Sequence, residues 1–142
     1  MITIREVSEY IFYAGLVFTV EWYFDEKGQL AARVYYERLS AEERERFHYM
    51  VKYIADAPIG TRLPKTLYNL EDSENKIYAF KPKDHRFFNF MTEGRKIIIV
   101  AGYRKHSYQM TKKDLGLLKI AVNRKNDYLS RVKEGTYYER FA

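Results

Sequence analysis

Two short stretches of the sequence concentrate side chains suited to phosphate chemistry. Lys81, Lys83, His85 and Arg86 crowd one junction, and Arg104, Lys105 and His106 follow the next apolar run. Cleaving a ribose–phosphate chain through its own 2′-hydroxyl needs a base for that hydroxyl. It also needs a cation for the charge developing on phosphorus and an acid for the departing 5′ oxygen. Arg86 suits the cationic role, because its guanidinium forks onto two oxygens and stays protonated. A lysine crowded by like charges, such as Lys83 or Lys105, can act as the base. Either His106 or His85 supplies the acid, and Tyr128 stacks on a base or positions the phosphate. Lys81, His85, Arg104, Lys112, Lys113, Lys119 and Arg124 complete an expected cationic track for the rest of the chain.

Each of these residues also has an ordinary structural use. Arg86 can pair with an acidic helix, and His85 can be a turn residue. His106 can be a solvated loop residue, Tyr128 can belong to the core, and Lys81 and Lys83 around Pro82 can blunt a sheet edge. Other chemistries find less support. The sequence has no cysteine, which removes thiolate catalysis, thiolate metal sites and a disulfide framework. His48, His85 and His106 lack a metal-ligand spacing, so neither metal nor cofactor is expected. No serine lies in a nucleophile elbow and no glycine-rich phosphate loop is present.

Charge is distributed unevenly. Residues 1–75 carry 9 Lys/Arg against 13 Asp/Glu, whereas residues 76–142 carry 16 against 6. The second half therefore presents a basic surface that attracts a polyanion through long-range field and counterion release. The longest charge-free run near the start, Tyr10 to Val20, is too short for a membrane span of roughly 20 residues. Arg5 beside Glu6 and Glu9 makes a poor signal peptide. These features predict a cytoplasmic protein with no membrane partner.

The 142 residues, 46% of them hydrophobic, suit one domain with a real core. Its 14 Tyr and 9 Phe favour sheet. Residues 1–15 are ambiguous between strand and helix. Val17 to Phe24 alternates, with Phe18, Val20, Trp22 and Phe24 on a dry face and Thr19 and Glu21 opposite. Gln29 to Leu39 is rich in helix formers. Ser40 to Glu43 forms a capping box before an amphipathic helix that buries Phe47, Met50, Val51 and Ile54, with Pro58 and Gly60 ending it. Arg62 to Lys76 reads as an irregular connector. Ile77–Lys81, Arg86–Met91 and Lys96–Ala101 follow as closely spaced strands, the last with an unbroken Ile97–Val100 run suited to burial on both faces. Thr111 to Asp114 caps a final helix over Lys112–Val132, with Leu115, Leu118, Val122 and Leu129 expected inside. The order β-α-α-β-β-β-α predicts an α+β domain with a curved antiparallel sheet packed on a helical hairpin and a C-terminal helix.

At this level of detail the chain resembles the RelE/HigB-like toxins of type II toxin–antitoxin systems (the RelE/ParE superfamily), most closely the phage-derived HigB-like branch. Val20 to Gly28 is similar to the family's first strand, and Leu39 to Glu43 to the joint between its paired helices. Ile77 to Lys81 resembles its Tyr-Glu-Leu-Arg strand, with Lys81 in place of Arg, and Arg86-Phe-Phe resembles its Tyr-Arg-Ile-Phe strand. Gly102 to Ser107 resembles its Gly-Phe-x-Lys-Lys-Thr segment, with His106 where the second Lys stands. Ala121 to Tyr128 is similar to its terminal Ala-x-x-Arg-x-x-Asp-Tyr pattern. The likeness spans about Val17 to Leu129 and leaves residues 1–15 as an N-terminal extension. It implies a RelE-like fold and a toxin that cuts mRNA in the ribosomal A site. It also implies a cognate antitoxin that covers Arg86, Lys105 or Tyr128. Two alternatives travel with it: a ParE-like toxin that binds gyrase without cutting, and an inactive phage or genomic-island relic that retains RNA binding.

Overall fold

A computed structural model describes residues 7–138. Alternation and helical periodicity together build an α+β domain. In chain order the elements are α1 (Val7–Tyr10), β1 (Ile11–Ala14), β2 (Thr19–Trp22), α2 (Ala31–Glu37) and α3 (Ala41–Asp56). There follow β3 (Tyr68–Asp72), β4 (Ile77–Phe80), β5 (His85–Met91), β6 (Lys96–Arg104) and α4 (Lys112–Glu134). The six strands form one sheet in the order β1-β2-β6-β5-β4-β3.

The expected purely antiparallel sheet is corrected at one joint. β2 runs parallel to β6, with Val20 opposite Ile97 and Trp22 opposite Ile99, so the sheet is mixed. The cause is connectivity. The hairpin-linked strands β3 to β6 alternate direction, whereas β2 reaches β6 only after two helices and three strands, a crossover long enough to permit parallel pairing. The connector is corrected too: Tyr68–Asp72 is strand β3, paired with β4. The ambiguous N-terminal segment supplies edge strand β1, while residues 1–6 lie outside the described residues.

Side chains one apart on a strand point to opposite faces, so the sheet carries two cores. Phe18, Val20, Trp22, Phe80, Phe87, Ile97 and Ile99 meet α2 and α3 on one face. Phe88, Phe90, Ile98, Val100 and Tyr103 meet α4 and Tyr137 on the other. The Ile97–Val100 run is thus divided between both cores, as its unbroken apolar sequence predicts. Phe47 of α3 is fully buried and stacks on Phe87 at 4.2 Å. Such offset ring pairs add about 0.5–1.5 kcal/mol beyond burial.

Strand β2 has no wet face. Glu21 is buried on the sheet face that carries α4, where Lys96 Nζ (3.1 Å) and the Tyr138 hydroxyl (2.6 Å) satisfy it. Because β2 ends at Trp22, Phe24 leaves its expected face and joins the α4 core. The turn between β1 and β2 docks on the end of α3, with the Val17 and Phe18 amides donating to the Ala55 carbonyl at 2.8 and 2.9 Å. Gly15 permits that approach: a Cβ there would sit 2.5 Å from the Phe18 carbonyl oxygen and 2.6 Å from that of Ala55.

Both capping boxes form, Ser40 with Glu43 and Thr111 with Asp114. Helix α4 is rotated from the expected inner face. It buries Asp114, Ala121, Tyr128 and Arg131; of the expected inner residues, Leu118 and Val122 still pack half-buried against the core, while Leu115 and Leu129 are exposed. Polar groups on the buried side explain the rotation. Asp114 caps the helix and pairs with Lys105, and Arg131 donates to the Phe24 carbonyl at 2.5 Å and lies over the Tyr137 ring. Among the described residues no helix is long and apolar enough to cross a membrane.

Candidate nucleic-acid interface

Strand alternation decides which cations meet. On β5, Arg86 faces the α4 side and His85 faces α2 and α3. Arg86 joins Lys81, which follows β4, and Lys105, which follows β6, in a cleft of 460 Å³ at the β3 side of the sheet. Asn69 and Glu71 of β3, with Lys65 and Thr66 before it, form one wall, and Tyr108 and Met110 form the other. Four cations and one carboxylate line this space. Three of the cations, Lys81, Arg86 and Lys105, are those expected from sequence.

The cations are held differently. One Arg86 guanidinium nitrogen donates to the Lys83 and His85 carbonyls at 3.0 and 2.8 Å. No carboxylate among the described residues pairs with Arg86, so the rest of its donor fork stays available to an anion. Lys81 pairs with Glu71 at 3.0 Å, each side chain 17% exposed. Lys105 pairs with Asp114 at 2.8 Å and also donates to the Gln109 carbonyl. Burial works to raise the Asp114 pKa, but bonds from Lys105, the Thr111 amide and hydroxyl, and Tyr103 outweigh it and hold the carboxyl low. The Tyr103 phenol, which shares Asp114 with Lys105, moves the opposite way, first by burial and then by the Asp114 charge.

The other expected site residues lie elsewhere. His85 is buried, with Nδ1 2.5 Å from the Tyr35 hydroxyl and Nε2 2.6 Å from Glu43 Oε2, so it ties β5 to the helical hairpin rather than facing a ligand. Lys83 pairs with Glu42 at the start of α3, and Arg104 with Asp84. His106 is exposed on the loop after β6 and is not among the residues lining the cleft. Arg124 donates to the Val100 carbonyl, and Lys112, Lys113 and Lys119 are exposed on α4. Tyr128 is a core residue: it is buried against Phe90 and Tyr137, its hydroxyl meets that of Tyr138, and burial pushes its phenol up to about 12. It lies 14 residues beyond Asp114, about 21 Å along the helix axis. No family model and no curated protein matches this chain.

Sequence reasoning missed Lys65, Glu71 and Tyr108. The signal for Glu71 is the alternation of Tyr68 and Leu70 with Asn69 and Glu71, a short strand pattern that marks Asn69 and Glu71 as one face. As an arrangement, the cleft can hold a phosphate at Arg86. Glu71 is a carboxylate next to a protonated amine, a pair able to accept one proton and donate another.

The His85 tie carries a pH prediction. Glu43 is held down to about 2, first by the Ser40 backbone amide and then by His85. Because this value lies below the roughly 4.3 of an unfolded chain, the stabilisation is complete above that pH and fades as pH falls toward 2. Melting temperatures across this window are expected to fall less steeply for Glu43→Gln than for wild type. Parallel slopes would remove Glu43 from the acid-labile set.

Proposed function

We propose that the cleft binds the phosphate backbone of RNA, and that the protein is a RelE/HigB-like toxin that cuts ribosome-bound mRNA without a metal. The observation that carries this is the convergence of Lys81, Arg86 and Lys105 from three strand ends, with Arg86 free of any carboxylate among the described residues. In this reading Arg86 clamps the scissile phosphate and neutralises charge as it develops on the oxygens. Glu71 takes the proton from the 2′-hydroxyl, whose oxygen attacks the adjacent phosphorus. The P–O5′ bond breaks, and Lys81 delivers its proton to the departing oxygen. The products are a 2′,3′-cyclic phosphate and a 5′-hydroxyl. A proton passing from Glu71 to Lys81 resets the pair across their 3.0 Å contact. Tyr108, fully exposed at the rim, offers a ring for base stacking. A cognate antitoxin covering Arg86 and Lys105 would silence the cleft.

One observation favours a second reading, binding without cleavage: Glu71 and Asp114 neutralise two of the four cations. This is the relic alternative, which keeps RNA binding and loses cleavage. Incubation with translating ribosomes, followed by mapping of mRNA ends, separates the two. Cleavage predicts new 5′-hydroxyl ends within codons at the A site, and binding alone predicts none. In both readings, affinity for a single-stranded RNA oligomer falls with salt, with log K dropping by about 0.7 per log unit of salt for each phosphate neutralised. A salt-independent affinity would reject both.

A further inference from the structure

The outward side of α4 carries a pattern that its own fold uses only in part: Leu118 and Val122 rest half-buried on the edge of the core, and the apolar residues to either side of them are left exposed. Leu115, Leu118, Val122, Lys125, Leu129 and Val132 recur at alternating spacings of three and four, the seam of a two-helix coiled coil. Leu115, Leu129 and Val132 are 54%, 44% and 39% exposed. The Lys125 amine turns away to the Asn75 carbonyl and the Phe90 ring. Along one flank run Lys112, Lys119, Asn126 and Lys133, one per seven residues. All are exposed, and none pairs with a carboxylate among the described residues. The other flank, Asp114, Ala121 and Tyr128, is buried against the sheet.

We propose that this seam docks a helix of another protein that carries an apolar stripe bordered by acidic residues. Charge selects the occupant. A second copy of α4 in a twofold antiparallel pair would set lysine row against lysine row, whereas an acidic flank would pair with it. The proposal does not rest on the nuclease reading, since Arg86, Glu71 and Lys81 take no part in it.

The probes are two synthetic helical peptides of three heptads, identical in their leucine stripe and flanked by glutamate or by lysine. They are titrated by fluorescence anisotropy onto the full chain. The glutamate peptide is expected to bind at least about tenfold more tightly than the lysine peptide, about 1.4 kcal/mol. Lys119→Glu with Lys133→Glu should reverse that order, and Leu115→Ser with Leu129→Ser should weaken both peptides. These positions are exposed, and unchanged thermal melts would verify the fold. Equal affinity for the two peptides, or no binding, overturns the proposal. So does concentration-dependent self-association in sedimentation that Leu129→Ser abolishes, which would make a second copy the occupant. Partition onto phosphatidylserine vesicles that depends on the same residues, without peptide binding, would assign the seam to a lipid surface instead.

Discussion

Arg86→Ala is expected to lower the rate of mRNA cleavage on ribosomes by about a hundredfold or more, the usual loss when one preorganised donor to a developing oxyanion is removed. The expectation follows from how Arg86 is held. Two backbone carbonyls fix one guanidinium nitrogen, so the remaining donors are oriented before substrate arrives, and no carboxylate among the described residues competes for them. Losing those two bonds removes about 1 kcal/mol each from the fold, a small loss because the freed carbonyls can turn to water. Arg86→Lys keeps a charge but loses both the tether and the fork, so it should restore only part of the rate. RNA affinity should fall in Arg86→Ala far less than the rate does, since Lys65 and Lys105 remain. Full cleavage by a folded Arg86→Ala protein would remove Arg86 from the chemistry and the nuclease reading with it. A low melting temperature with unchanged activity per folded molecule would make it a structural residue.

Much of the fold is legible in the sequence, because the strongest local signals agree with tertiary burial. The Ser40 and Thr111 boxes, the Phe47-to-Ile54 stripe and the Ile97–Val100 run each have one physical solution and adopt it. The failures share a cause. On α4 the apolar stripe predicts the inner face, yet tertiary polar partners at Asp114 and Arg131 outcompete it and turn Leu115 and Leu129 outward. On β2, Glu21 looks solvent-facing, but Lys96 and Tyr138, remote in sequence, bury it in an ion pair and a hydrogen bond. The site follows the same rule. His85 and Arg86 are neighbours in sequence and opposites in space, because a strand alternates. Proximity along the chain therefore overstates the cluster. Glu71 was hidden in a five-residue strand that pairs as an edge, too short to stand out from a loop.

Asp114→Asn is expected to move stability and RNA affinity in opposite directions. Asp114 Oδ2 accepts from Lys105 at 2.8 Å, the Thr111 amide at 2.8 Å and the Thr111 hydroxyl at 2.9 Å, and the residue is 3% exposed. Asparagine fills the same space but leaves the Lys105 ammonium, whose side chain is 13% exposed, without its counter-charge. Removing one partner of a buried pair typically costs about 3–5 kcal/mol, read here as a lower midpoint in chemical denaturation. The same loss leaves Lys105 unneutralised at the cleft wall, where a phosphate is its next partner. Affinity for single-stranded RNA at fixed salt should therefore rise, and the salt slope should steepen by about 0.7 for one more phosphate neutralised. Should Asp114→Asn fail to fold, the pair with Lys105→Met keeps the idea testable. That double variant has no unpaired buried charge and should recover much of the stability, a coupling measured by a double-mutant cycle. It should lose the affinity gain, because no cation remains at position 105. Unchanged stability in Asp114→Asn would mean that the Lys105–Asp114 contact contributes nothing to the fold. A stable double variant that binds RNA as tightly as Asp114→Asn would take Lys105 out of the RNA path and shift the interface toward Lys65 and Arg86.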